Sequence, residues 1–455
     1  MHTETESLAV SQSVSQSVAL PNDLEAYWMP FTANRAFKAR PRMVVAAKGL
    51  HYRTPDGRAV LDATSGLYCV NAGHGRPEIA AAIKASIDTL DYAPPFHYGH
   101  PGAFALANRI AELAPGDLDH VFFASSGSEA ADSAMKIALA YHHARGAAGR
   151  QRFIGRDRGY HGATVAATAV GGIGNNRRQF GLPMAGIDHI PSTYNRARQA
   201  FSIAEPEWGR ETAEELLRVI SLHGAEQIAA LIVEPVAGST GCLPPPKGYL
   251  ERLRAITAEH GILLILDEVI TAFGRLGHAF AAERYGIVPD IITFAKGITN
   301  GAAPLSGAIV RKGIYEALMQ GPPNRIELFH GHTYSGHPLS VAAALAALDV
   351  YRSEALFPRA AAIAPMFAEM MMGLRAARHV VDIRPIGLMC GIDLEPRPGA
   401  EGARGFELLD SAFHDHDLYV RVVADTLVIA PPLTATLDDI DEIARRVANV
   451  LSKIA

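Results

Sequence analysis

The stretch Ile262–Gly297, ILLILDEVITAFGRLGHAFAAERYGIVPDIITFAKG, holds two short apolar runs that each end on a charged residue. Ile262-Leu-Leu-Ile-Leu266 leads straight into Asp267 and Glu268. Ile291-Ile-Thr-Phe-Ala295 leads into Lys296, 29 residues after Asp267, and then Gly297. Apolar runs this short, with no polar alternation, suit strands covered on both faces, as in a parallel sheet. In open α/β sheets, ligands bind outside the carboxyl ends of the strands. A carboxylate and a lysine at two such ends fit one cofactor crossing neighbouring strands.

The same rhythm extends outward. Val121–Ala124, Arg152–Gly155, Ile228–Glu234, Ile262–Asp267, Ile291–Phe294 and Leu305–Val310 read as strands, separated by helical segments or loops. Helices are expected over Ala130–His143 and Gly248–His260, giving an α/β domain with a mainly parallel sheet over 76–345. Arg76–Asp91 and Leu339–Arg352 also carry helical patterning. Before this domain, 1–25 (with SQSVSQSV) reads as a disordered tail or arm. Residues 26–75 hold short strands and a turn at Pro55-Asp56-Gly57. After it, 346–455 holds a helix near 360–377, strands around Ile383–Leu394 and Leu427–Ala430, and a helix near 437–452.

Composition narrows the function. Of 455 residues, 49 % are hydrophobic and 20 % charged, with net charge −5, so no bulk electrostatic argument points to nucleic acid. Cys69, Cys242 and Cys390 are too few and too far apart for a disulfide framework or zinc site. No apolar run approaches the roughly 18 residues of a membrane helix, and the start lacks a secretion signal's pattern, so a cytoplasmic enzyme is expected.

Three segments carry chemistry. Phe123-Ala-Ser-Ser-Gly-Ser-Glu-Ala130 reads as strand, tight turn and helix, where unpaired amides and the Ser126 and Ser128 hydroxyls suit a phosphate and Gly127 permits close approach. Alone, it is more often an ordinary helix cap. His330-Gly-His-Thr-Tyr-Ser-Gly-His-Pro338 offers Thr333; no carboxylate or cysteine joins its histidines, so a metal is not expected. Lys296 is one of eight lysines; alone it reads more often as a strand-end lysine snorkelling to solvent, whereas burial there favours amine nucleophile chemistry, and Asp267 at another strand end tips the balance to the second. Asp267 in reach of a pyridine ring would hold its nitrogen protonated.

LILDEVITAFGR, DIITFAKG, SSGSEAADSAMKIA, GYHG and GHTYSGHP together resemble the class III (omega) aminotransferases of pyridoxal-phosphate fold type I, over roughly residues 25–450. The resemblance implies a large domain with a mainly parallel central sheet, plus a small α+β domain formed by the N- and C-terminal segments. It implies that Lys296 carries pyridoxal phosphate as a Schiff base and that Asp267 partners the ring nitrogen. Tyr160 would stack on one ring face and Val269 press on the other. Ser126, Gly127 and Ser128 would cradle the phosphate, with Thr333 contributed by the neighbouring subunit of a homodimer or homotetramer. Glu234 would sit near the ring's hydroxyl side.

Within the family the resemblance is to the beta-alanine or omega-amino acid:pyruvate branch, through Gly66-Leu-Tyr-Cys-Val-Asn-Ala-Gly-His-Gly75 and Ala272. Tyr68 stands where that branch frequently has a pocket tryptophan. Arg421 matches the arginine that clamps a substrate carboxylate, and Phe96 is an expected wall. Other donors (gamma-aminobutyrate, taurine, acetylornithine, a diamine) and 2-oxoglutarate as acceptor stay open. A decarboxylase or racemase would keep Lys296 and Asp267. A nicotinamide dehydrogenase would need a glycine fingerprint that is not convincing here, and a noncatalytic protein would need neither residue.

Overall fold

A computed structural model describes residues 24–181 and 184–455, so nearly all of the expected tail at 1–25 lies outside the described residues. The central sheet has seven strands: β1 Leu118–Ala124, β2 Arg152–Arg156, β3 Ile187–Ile190, β4 Ile228–Val233, β5 Leu263–Asp267, β6 Ile291–Phe294 and β7 Ser306–Arg311. Their order is β1-β7-β6-β5-β4-β2-β3. β7 runs antiparallel to both neighbours, while β6, β5, β4, β2 and β3 pair in parallel. β4, β5 and β6 are buried along their whole length, which is why they carry no polar alternation.

The helix after β1 covers Gly127–Ala144 and packs Ala130, Ala131, Ala134, Ile137 and Ala138 against the sheet. It begins at Gly127 and not near Ala130, because Ser126 and Glu129 close a capping box that brings Gly127 and Ser128 into the first turn. Edge strand β3 and the helix Pro101–Leu113 add to the expected elements. The helix expected near 360–377 spans Leu356–Met372 before a short 3₁₀ turn, Gly373–Ala376.

The two ends of the chain build the small α+β domain. Strands Ala46–Lys48, His51–Arg53 and Ala59–Asp62 are joined by Leu418–Tyr419, with Leu418 opposite Leu61 and Tyr419 opposite Asp62. A second, antiparallel sheet contains Val380–Ile386, Met389–Leu394, Arg421–Val423 and Thr426–Ile429. The buried guanidinium of Arg275 ties these segments to the large domain. It donates to Ser65 Oγ (3.0 Å), Asn71 Oδ1 (2.7 Å) and the carbonyls of Leu388 (3.0 Å) and Pro431 (2.6 Å). Burial without a carboxylate partner lowers its pKa to about 10.

Candidate active site

Sheet register gathers the candidate residues at one edge. Val233 pairs with Leu266 and Asp267 with Thr293, so Glu234 leaves β4 beside Asp267, and Lys296 follows β6 at the same end. Gly127, Ser128, Tyr160, His161, Gly162, Glu234, Asp267, Val269, Ile270 and Lys296 line one cleft there, of about 470 Å³ with its mouth included.

Asp267 forms the cleft's buried acidic end. Its Oδ2 accepts from His161 Nδ1 at 2.7 Å, and its Oδ1 accepts from the Val269 amide at 3.1 Å. The other ring nitrogen of His161, the buried Nε2, has no partner among the described residues. His161 was not singled out from sequence, although it sits inside the quoted Gly159-Tyr-His-Gly162.

Lys296 has left-handed backbone, φ 51°, a conformation that costs a non-glycine residue roughly 1–3 kcal/mol unless its surroundings hold it. Tyr351 Oη, donating to the Gly297 carbonyl, helps hold this turn. The Lys296 amine makes no hydrogen bond among the described residues, and burial lowers its pKa, against the pull of Cys69 and Asp267. Glu234 is buried, accepting from the Tyr160 amide (2.9 Å) and the Gly238 amide (3.0 Å), and burial raises its pKa.

At the other end of the cleft, Ser128 Oγ accepts from the Ala163 amide at 2.9 Å. The Ser126 hydroxyl accepts from Glu129 N at 3.2 Å and so serves as the helix cap. The first-turn amides of Gly127 and Ser128 stay open toward the cleft, a ready anion site. A Cβ on Gly127 would meet Val269 Cγ1 at 3.2 Å, a tight contact that would press Val269 by a few tenths of an ångström.

Tyr68 approaches from the N-terminal segment on a left-handed run, Ser65 through Tyr68. Asp62 holds that run by accepting from the amides of Thr64 (2.9 Å) and Gly66 (2.8 Å) and bonding His74 Nε2 (2.8 Å). Tyr68 Oη donates to the Gly238 carbonyl at 3.2 Å. Arg421 lies near enough to act electrostatically on Tyr68, Tyr160 and Lys296. It reaches only the Ser239 carbonyl, at 3.5 Å, and its buried Nε has no partner among the described residues. Phe96 and Thr333 are exposed and do not line this chain's cleft; the Thr333 carbonyl accepts from Tyr92 Oη at 3.1 Å. Among the described residues, no group of histidine, cysteine and acidic side chains is arranged to hold a metal, and no helix is long and apolar enough to cross a membrane.

The cleft suits a phosphorylated pyridine: open helix amides at one end, an oriented buried carboxylate at the other, and an unpaired lysine between. The structure superposes on an amine transaminase from an uncultivated Pseudomonas species in its PLP-bound form, with TM-score 0.89 and 33 % identity over 96 % of this chain and 100 % of that one. An (S)-enantioselective omega-transaminase from Thermomicrobium roseum gives TM-score 0.86 and 35 % identity over 93 % and 95 %. Fold and cleft thus define a pyridoxal-phosphate enzyme of fold type I. The family model Aminotransferase class-III matches residues 32–451, and the chain belongs to that family. It is 54 % identical to an omega-aminotransferase of Caulobacter vibrioides over 95 % of this chain and 98 % of the relative. It is 45 % identical to a beta-alanine–pyruvate aminotransferase of Pseudomonas aeruginosa over 97 % and 99 %.

Proposed function

We propose that this aminotransferase moves the amino group of an omega-amino acid or primary amine, beta-alanine foremost, to pyruvate, releasing the aldehyde or ketone and L-alanine. The observation that carries this reading is Arg421, its buried Nε without a partner among the described residues, near a cleft with Asp267 and Lys296 at the ends of adjacent strands. Bound pyridoxal phosphate supplies an electron sink for the charge left when the donor carbon loses its proton.

The protein's own groups do the rest. Asp267, oriented by His161 and the Val269 amide, presents negative charge to a protonated ring nitrogen. Lys296 would carry the cofactor, and its amine once freed, with its pKa lowered by burial, accepts the proton from the amine-bearing carbon and later returns it. Tyr160 and Val269 confine the two ring faces. Glu234 fixes the Tyr160 turn through the backbone and would face the ring's hydroxyl side. Ser126, Gly127 and Ser128 form the phosphate cradle, with Ser126 acting through its cap. Arg421 clamps the acceptor's carboxylate with paired donors; Tyr68 walls the pocket, and Phe96, which lies outside its own chain's cleft, walls that of the neighbouring subunit.

The working unit is a homodimer, alone or paired into a tetramer. Tyr98, Phe104 and Phe329 are 74 %, 69 % and 77 % exposed, and exposed Phe96 and Tyr334 join this aromatic set. Tyr92 and Tyr334, 6.1 Å between centroids, bring the two segments that carry it together. A patch of this kind suits a partner subunit, whose own Thr333 then reaches the phosphate. The same proposal places the domain division at 75/76 and 345/346 and the enzyme in the cytoplasm.

The test is a two-stage assay of protein loaded with pyridoxal phosphate. Beta-alanine alone is expected to change the cofactor's absorbance, and pyruvate to restore it with one alanine formed per site. No change with beta-alanine overturns the donor assignment; recovery with 2-oxoglutarate but not pyruvate overturns the acceptor.

A further inference from the structure

Ser133, which is buried, and Lys136 lie in the middle of the helix whose first turn is the phosphate cradle. Ser133 is six residues beyond Gly127, about 9 Å along the axis at 1.5 Å per residue. Both side chains hold His330. Lys136 Nζ donates to His330 Nδ1 at 2.9 Å, and His330 Nε2 bonds Ser133 Oγ at 2.8 Å. A lysine donor on Nδ1 fixes the imidazole as neutral with its proton on Nε2, so that Nε2 donates to the serine. Phe122 stacks on the same ring, 5.2 Å between centroids and 9° from parallel. Burial and the Lys136 charge push the His330 pKa down to about 4, which keeps this arrangement through the neutral range.

Three residues further on is Thr333, whose exposed side chain does not line the cleft of its own chain. Its backbone is held by Tyr92, and the amide of His332 donates to Ser335 Oγ at 3.2 Å. The segment is thus tied at its start and braced after its end, with the threonine pointing out.

We propose that Ser133, His330 and Lys136 form a positioning clamp that sets Thr333 onto the cofactor phosphate of the partner subunit. One helix then serves both sites: its first turn holds its own subunit's phosphate, and its middle holds the loop that completes the neighbour's. This rests on the reading that Thr333 acts across the dimer. None of the three clamp residues touches the cofactor.

The experiment uses mixed dimers carrying two different purification tags and measures release of pyridoxal phosphate from each site. His330→Ala homodimers are expected to release it roughly 10-fold faster or more, the loss of about one charge-assisted hydrogen bond. A dimer of one His330→Ala subunit and one Lys296→Ala subunit contains one site with an intact lysine and a partner with an intact clamp. That site is expected to hold the cofactor like the wild type. Cofactor as leaky there as in the His330→Ala homodimer puts the clamp in cis and overturns the proposal, as does wild-type retention by the homodimer. Thr333→Ala paired with Lys296→Ala is the control: failure to complement overturns the cross-dimer reading itself. Complementation by Thr333→Ala but not His330→Ala overturns the clamp alone. Ser133→Ala, which keeps a good helix former, gives the same readout if His330→Ala does not fold, and His330→Gln, retaining a donor, is expected to restore much of the retention.

Discussion

Gly162→Ala tests whether the turn after Tyr160 is built around the phosphate cradle. A Cβ there would stand 2.5 Å from Ser128 Oγ and 2.6 Å from Ser128 Cα. The second contact is with backbone, so no rotamer change relieves it. Gly162 also has φ 139°, where side-chain-bearing residues rarely go. Strained backbone costs roughly 1–3 kcal/mol, and overpacking costs about another 1–3 kcal/mol. The cheapest relief is to move Ser128 off its bond to Ala163 and out of the cradle. Losing one hydrogen bond to a charged group weakens binding by about 1.5–3 kcal/mol, or roughly 10- to 150-fold in affinity. Titration of the cofactor-free protein with pyridoxal phosphate is therefore expected to show a Kd at least 10-fold higher, with faster heat inactivation. Wild-type cofactor affinity and heat resistance in Gly162→Ala would refute the packing argument.

Replacing His161 with Ala removes the donor that orients Asp267; kcat is expected to fall roughly 10- to 100-fold, for about 1.5–3 kcal/mol, while His161→Asn, which keeps a donor near Nδ1, recovers much of it in steady-state assays. Arg421→Ala is expected to raise KM for pyruvate about 100-fold, the worth of a paired charged contact near 3 kcal/mol. The same variant should change the half-reaction of a carboxylate-free amine little, which single-turnover absorbance measurements resolve. Glu268, buried under the amides of Ala281 and Ala282, has its pKa raised by burial to about 7. A folded pKa above the unfolded value gives stability that is full below about pH 4.5 and lost as pH rises through about 7. Denaturation of the cofactor-free protein should show Glu268→Gln gaining on the wild type across that window, by roughly 3 kcal/mol at most.

The central sheet was legible because β4, β5 and β6 are buried on both faces, so their sequences are mostly apolar and lack polar alternation, Thr293 being the one polar residue inside them and Asp267 standing at the end of β5. Edge strand β3, Ile187-Asp-His-Ile190, is half-exposed and reads as loop. The antiparallel direction of β7 leaves no mark on composition; it follows from a connection too short for a helical crossover between Phe294 and Ser306. The start of the Gly127 helix was obscured because glycine and serine score as turn formers, while the capping box that makes them helical is a pair of side-chain contacts. Asp267 and Lys296 were marked by standing at the ends of apolar runs. His161 had no such mark: Nδ1 meets Asp267 across 106 residues of chain, and only the fold brings them to 2.7 Å. Arg421 lies in a short half-buried strand, indistinguishable by pattern from a surface arginine; its orphaned Nε is what sets it apart.

The most direct test of the account is to load the protein with pyridoxal phosphate, reduce with borohydride, digest, and map the modified lysine by mass spectrometry. The cofactor is expected on Lys296 alone, in the peptide leaving β6, and Lys296→Ala should carry none there while still binding the cofactor reversibly. Label on another of the eight lysines, with Lys296 unmodified, would contradict the site assignment and every role derived from it.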